Sequence, residues 1–188
     1  MSHLGHRVCP WWMGYFLASP LRKLRQNPRT ILSPFVTGGM VVLEPGPGMG
    51  YFTLELARRV GPSGHVVAVD VQARMLSALE RRARRAGLLE RIETRLASEG
   101  GMGLGDLAGR VDFVLAFAMV HEVPDAARFL AEVSAAMKAG ARLLLAEPRG
   151  HVSETGFSAT IALAEGAGLG LVSRLDISAS RSALLRRR

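Results

Sequence analysis

A carboxylate followed by three glycines at every second residue, Glu44-Pro45-Gly46-Pro47-Gly48-Met49-Gly50, is the stretch of this chain with the clearest chemical capacity. Glycine is needed where the backbone takes unusual angles or passes close to a ligand, because any Cβ would collide. A phosphate loop would carry Lys-Ser/Thr after its last glycine, and Tyr51-Phe52 stand there instead. A dinucleotide fingerprint spaces its glycines Gly-x-Gly-x-x-Gly, unlike this loop, and Glu44 would repel a pyrophosphate. A carboxylate in that position attracts a cation. The run His65-Val66-Val67-Ala68-Val69 then ends in a second acid, Asp70, placed to accept a hydrogen bond from each hydroxyl of a ribose. The pair suits an adenosine ligand with a positive amino-acid tail.

A second group of residues can move protons. His121 and Glu122 follow one apolar run, and Glu147 and His151 follow the next. A histidine that titrates near neutrality can take a proton from a hydroxyl, thiol or ammonium. Each histidine can equally serve to tie down its loop, and both readings stand at this point.

The elements that must position these groups alternate regularly. Val41 to Leu43 reads as a buried strand stopped by Pro and Gly, and Tyr51 to Val60 returns to helical spacing through Phe52, Leu54, Leu56 and Val60. Ala73 to Ala86 is predicted to be a helix closed by Gly87, followed by a short strand over Ile92–Leu96 and a glycine-rich loop from Ser98 to Gly109. Val111–Phe117 is a fourth strand. Asp125 caps a helix expected to reach Lys138 and end at Gly140, and Ala141–Ala146 is an apolar, central fifth strand. A helix from Ser153 to Ala167 and a hairpin of Gly170–Ile177 with Ser180–Arg186 complete the pattern. The expected architecture is α/β, a Rossmann-like doubly wound seven-stranded sheet, mostly parallel with an antiparallel C-terminal hairpin. Ligands of such sheets lie beyond the carboxyl ends of the strands, where all the residues singled out above fall.

At this stage the residues carry a resemblance. Glu44-Pro45-Gly46-Pro47-Gly48-Met49-Gly50 followed by Asp70 resembles the class I S-adenosylmethionine-dependent methyltransferases, over about Val41 to the C-terminus. The resemblance implies that Glu44, Gly46, Gly48 and Gly50 hold the methionine part of S-adenosylmethionine and that Asp70 holds the ribose. Val71 and Met75, just past Asp70, and Phe117 are expected to join them. Many members place an acid after the third strand for the adenine; here Ala97-Ser98-Glu99 stand in the region, so Ser98 takes that role and Glu99 is the fallback. His121 and His151 become the candidate catalytic bases, and Glu122 and Glu147 candidate walls of the acceptor pocket. The signatures of amino-directed nucleic-acid, cytosine and arsenite methyltransferases are missing, and the segment Glu147 to His151 is similar to small-molecule members. The expected reaction is methyl transfer to a small-molecule acceptor; an RNA or protein acceptor and a non-catalytic cofactor-binding role are the alternatives.

Composition agrees with one domain holding a sizeable core: 188 residues, 48% hydrophobic. The formal charge of +8 permits nucleic-acid or membrane contact without requiring either. Arg81, Arg82, Arg84 and Arg85 lie opposite an apolar helix face and read as solvated, and Arg186-Arg187-Arg188 reads as a mobile terminus. The single cysteine, Cys9, excludes an internal disulfide and any multi-cysteine metal site, and no metal is expected. Residues 1–37 are expected to form an N-terminal helical and aromatic segment before a domain over 38–188. Trp11, Trp12, Tyr15 and Phe16 crowd one short apolar run, too interrupted for a signal peptide and too short to span a bilayer. Three readings stand: a flap over the pocket, with Trp11, Trp12 and Tyr15 as acceptor walls; a peripheral membrane anchor; or a helix completing the core. A cytoplasmic location is expected.

Overall fold

The computed structural model describes residues 26–98 and 100–188. Asn27 opens the first described helix by accepting a hydrogen bond from the Arg29 N–H, and Pro28 occupies the first turn, where its missing N–H costs nothing. The described elements run in the order α1 (Pro28–Leu32), β1 (Val41–Pro45), α2 (Thr53–Val60), β2 (His65–Asp70), α3 (Ala73–Arg85), β3 (Ile92–Leu96), β4 (Val111–Phe117), α4 (Ala126–Ala136), β5 (Met137–Pro148), α5 (Glu154–Gly166), β6 (Leu169–Leu175) and β7 (Ser180–Arg187). Seven strands form one sheet in the order β3-β2-β1-β4-β5-β7-β6. The first five are parallel; β7 inserts antiparallel between β5 and β6.

Successive side chains of a strand face opposite sides, and the two apolar layers follow from that alternation. On β1, Val42 packs with Leu56 of α2, Leu79 of α3 and Leu32 of α1, whereas Leu43 packs with Leu130 of α4 and Phe157 of α5. Leu32 and Val36 are buried in the first layer, in one cluster with Val42, Leu56 and Leu79. Both acids come from the carboxyl ends of neighbouring strands: Glu44 from β1 and Asp70 from β2.

Two expectations change. The helix before β5 ends at Ala136, not Lys138, because Met137 is fully buried and pairs with Val111 as the first residue of the strand. Gly140, with φ +77, lies within β5, close to the register shift between Val111 and Phe113. The last arginines are not a loose terminus either. Arg186 pairs with Arg142 on one side and Gly170 on the other, and the Arg188 N–H donates to the Gly168 carbonyl at 3.0 Å, because β7 is internal to the sheet.

Candidate active site

The glycine loop is fastened from three sides. The Gly46 N–H donates to the Val69 carbonyl at 2.8 Å, which ties the loop's first turn to β2. A Cβ on Gly46 would stand 2.8 Å from Met119 Cβ, and φ there is +68, so only glycine lets the loop lie against the turn after β4. Gly48 differs: φ is +55, yet a Cβ would meet nothing within 4 Å. Its N–H donates to Asp70 Oδ2 at 3.3 Å, and the space beside it is open cavity. The third fastening is α3, whose stripe Met75, Leu79, Arg82 follows helical spacing. Met75 packs on Met49, Leu79 lies under Gly50, and the Arg82 guanidinium donates to the Met49 carbonyl. Burial pushes the Arg82 pKa down, so this arginine is not the solvated side chain that its neighbours Arg81, Arg84 and Arg85 are.

Beyond the strand ends opens a cavity of about 820 Å³. Glu44, Gly46, Gly48, Asp70, Val71 and Met75 line one part of it. Asp70 accepts from the Gln72 N–H at 2.9 Å and from Gly48, and burial nevertheless raises its pKa against those bonds, with the Glu122 charge adding to the rise. Glu44 is 3% exposed, and its Oε2 has no hydrogen-bond partner. Burial pushes its carboxyl up to about 8, opposed by the Thr53 hydroxyl and helped by the Asp70 charge. Since the folded chain holds this proton more tightly than the usual 4.5 implies, the group's contribution to stability is greatest in acid and falls as pH climbs to about 8. A buried, unpartnered carboxyl oxygen beside a cavity is the feature expected for a site that receives a cation.

Ser98 and Phe117 also line the cavity. The Ser98 segment is held to α4: the Met102 N–H donates to Glu132 Oε2 at 3.0 Å, and Arg128 donates to the Gly100 carbonyl. Glu99 lies outside the described residues, as do Trp11, Trp12 and Tyr15. Gly50 does not face the cavity; it backs the loop against Leu79.

The proton-active residues meet at the ends of β4 and β5. His121, in the turn Val120–Glu122, places its Nδ1 in hydrogen-bonding contact with Glu147 Oε2, while Glu147 Oε1 accepts the Val120 N–H at 2.8 Å. His121, Glu122 and His151 line the cavity, and the His151 ring meets His121 edge-on at 5.5 Å between centroids. Glu147 does not line it: at 1% exposed, it sits behind His121 as an anchor. The Glu147 hydrogen bond raises the His121 pKa against partial burial, with a further push from Glu122. Among the described residues no group of His, Cys, Asp and Glu could hold a metal ion.

The sequence reading missed Arg82 and the α4 residues Arg128 and Glu132. For Arg82 a signal existed, since a lone arginine stands in register with Met75 and Leu79; for the α4 pair none did, because their partners lie on a distant loop.

A doubly wound sheet with a glycine loop between two acids, strand order 3-2-1-4-5-7-6, defines a Rossmann-like fold of the methyltransferase plan. Residues 37–169 match the family model described as "Methyltransferase domain", and the chain belongs to the class I S-adenosylmethionine-dependent methyltransferases. In structure it is similar to a SAM dependent methyltransferase from Aquifex aeolicus, with TM-score 0.86 and 22% identity, covering 96% of this chain and 100% of that one. In sequence it is 26% identical to an arsenite methyltransferase from Halobacterium salinarum, over 64% of this chain and 30% of the relative. It is 31% identical to a demethylmenaquinone methyltransferase from Lactobacillus johnsonii, over 55% of this chain and 41% of the relative. The matches thus span well under half of either curated relative.

Proposed function

We propose that this chain binds S-adenosylmethionine along the Glu44–Asp70 side of the cavity and catalyses transfer of its methyl group to a small-molecule acceptor held near His121. The observation that carries this reading is the joining of the two halves in one cavity: the glycine loop with its unpartnered Glu44 oxygen on one part, the Glu147–His121 pair on another. When bound, the cofactor supplies an electrophilic methyl on a sulfonium. Glu44 and the loop would take the methionine end, Asp70 the ribose, and Val71, Met75 and Ser98 the base, with Phe117 toward the methionine. In-line displacement needs mainly positioning, with reacting atoms roughly 3 Å apart. His121, oriented by Glu147, is the base where the acceptor must lose a proton, and His151 is a wall beside it.

A small acceptor is favoured by the charge of the lining. Arg128 is the single arginine or lysine among the described lining residues, against Glu44, Asp70, Glu122, Asp125 and Glu132. A phosphate backbone is recognised by arginine and lysine, and among the described lining residues only Arg128 is of that kind. The alternative of an RNA substrate would require strong binding that falls steeply with salt. Among the described residues no helix is long and apolar enough to cross a membrane.

Calorimetry with S-adenosylmethionine and its demethylated product tests the cofactor half. Micromolar binding is expected, and Asp70→Ala should weaken it by about 1–3 kcal/mol, the loss of a buried charged acceptor. Absence of binding by the native chain would overturn the reading. The N-terminal aromatic residues belong to the same proposal as a cover for the acceptor. Gln26 marks where they join: its carbonyl accepts from the hydroxyl of Tyr51, a cavity residue, and its side chain donates to the Ser178 carbonyl. Removing residues 1–18 should leave cofactor affinity within about tenfold, roughly 1.4 kcal/mol, and abolish transfer. A truncated chain that methylated as well as the full one would remove the cover from the proposal, and loss of vesicle binding would assign the segment to a membrane surface.

A further inference from the structure

The chain carries a formal charge of +8, yet the described lining of the cavity sets five acids, Glu44, Asp70, Glu122, Asp125 and Glu132, against one arginine. The one arginine of the described lining is already engaged: Arg128 Nε is 3.7 Å from Glu132 Oε1, and the guanidinium donates to the Gly100 carbonyl. A bound S-adenosylmethionine, with two positive groups and one carboxylate, offsets only part of the lining acids. No fixed cation of the described lining is left to meet an anionic acceptor.

The proton acceptor is equally specific. Glu147 accepts the Val120 N–H through Oε1, which turns Oε2 to His121 Nδ1. A carboxylate can only accept, so Nδ1 carries the hydrogen and Nε2 is left as the basic atom. Three groups face this imidazole: Glu147 from β5, Glu122 from the same turn with Oε1 3.9 Å from Nε2, and the His151 ring from the loop after β5. None is a permanent cation. An amine entering here would be held as ammonium by the surrounding carboxylates, with its lone pair occupied by a proton. A neutral hydroxyl has no such penalty and presents its hydrogen to Nε2. Flat apolar walls complete the description: Phe52 lies 4.5 Å from Phe117 and 5.1 Å from Tyr51 between ring centroids, and all three line the cavity.

We propose that the acceptor is an uncharged aromatic hydroxyl compound of the phenol or hydroquinone class, methylated on oxygen, and that acidic relatives of it are rejected by the charge of the cavity. The inference rests on the methyl-transfer reading above. In the reaction an oxygen lone pair forms the O–CH₃ bond, the S–CH₃ electron pair returns to sulfur, and the hydroxyl proton passes to His121 Nε2. The products are an aryl methyl ether, the neutral thioether and an imidazolium, so charge and atoms balance.

The test uses the full chain, labelled S-adenosylmethionine and matched acceptors: para-cresol, naphthol, the methyl ester of para-hydroxybenzoate, para-hydroxybenzoate itself, and benzylamine. Ester and acid carry the same ring and hydroxyl but differ in charge. The ester should exceed the acid at least about tenfold in kcat/KM, equivalent to about 1.4 kcal/mol. Added salt and Glu122→Gln should each narrow the gap. Products should be O-methyl ethers by mass spectrometry and NMR. Equal use of acid and ester, a preference for benzylamine, methylation on carbon, or no methylation by a chain that binds the cofactor would each overturn the proposal. Failure to bind the cofactor would instead remove the reading beneath it.

Discussion

Gly46→Ala is expected to lower folding stability by about 3 kcal/mol and, because the loop must shift, to weaken the binding of S-adenosylmethionine with it. A residue with a Cβ at φ +68 costs about 1–2 kcal/mol, and the new methyl would stand 2.8 and 2.9 Å from Met119 Cβ and Cγ. Those atoms are the rigid root of the side chain, so the loop or the turn after β4 must shift. Together the effects amount to about 3 kcal/mol of folding stability. Gly48→Ala provides the contrast. No atom lies within 4 Å of its Cβ position, so the fold should lose only the backbone cost of φ +55. If the open space is where the methionine part of the cofactor lies, the added methyl meets ligand, and affinity drops far more than stability does. Unchanged affinity in both variants would show that the loop does not hold the cofactor. Calorimetry paired with thermal melts separates the two cases.

The second large effect concerns His121, the proposed base. His121→Asn should reduce kcat by about 10²–10⁴, the range for loss of general acid–base catalysis, with cofactor affinity within a few fold. Glu147→Gln should approach that loss although it removes no atom from the cavity. A glutamine NH₂ aimed at Nδ1 would donate, forcing the imidazole into the tautomer with its hydrogen on Nε2, where the acceptor's proton must go. The pH profile identifies this cause. In the native protein His121 is held above its ordinary value of 6.5, so activity should rise with pH along a limb centred above that value. Without the Glu147 charge the limb should move to lower pH. The linked stability has the complementary sign: a raised histidine pKa contributes fully below 6.5 and is lost as pH rises through the folded value, so the variant should lose more stability in mild acid than in base. A Glu147→Gln protein with the native rate and limb would reduce Glu147 to a structural anchor.

The strands were easiest to place from the sequence where they are most buried. Val111–Phe117 has the boundaries that its apolar run and the preceding Gly109 predict, because a parallel strand covered on both faces leaves little choice of residue. The junction after α4 was misplaced because Met137 suits either a helix's apolar face or a strand, and pairing with Val111 decides between them. Candidate cofactor residues were legible because one local unit, strand, loop and next strand end, carries them. The relation of Glu147 to His121 was not, since it depends on the register of β4 against β5, with Phe117 opposite Ala146, which no local pattern encodes. Arg82 was read as surface because neighbouring arginines mask its place in the Met75–Leu79 stripe.

The buried carboxyl of Glu44 has a consequence for the timing of the cycle. With its pKa near 8, the free protein holds it mostly neutral at physiological pH. On the proposed binding mode, an ammonium arriving beside it would favour the ionised form, so the proton would leave as the ligand enters, and the heat of binding should follow the ionisation enthalpy of the buffer. The demethylated product keeps that ammonium. The proton would therefore return only when the product departs, and acid should hasten that departure while weakening the hold on fresh cofactor. If Glu44 receives the ammonium as proposed, it would act as a proton-coupled latch, set by one ligand and released by the loss of another.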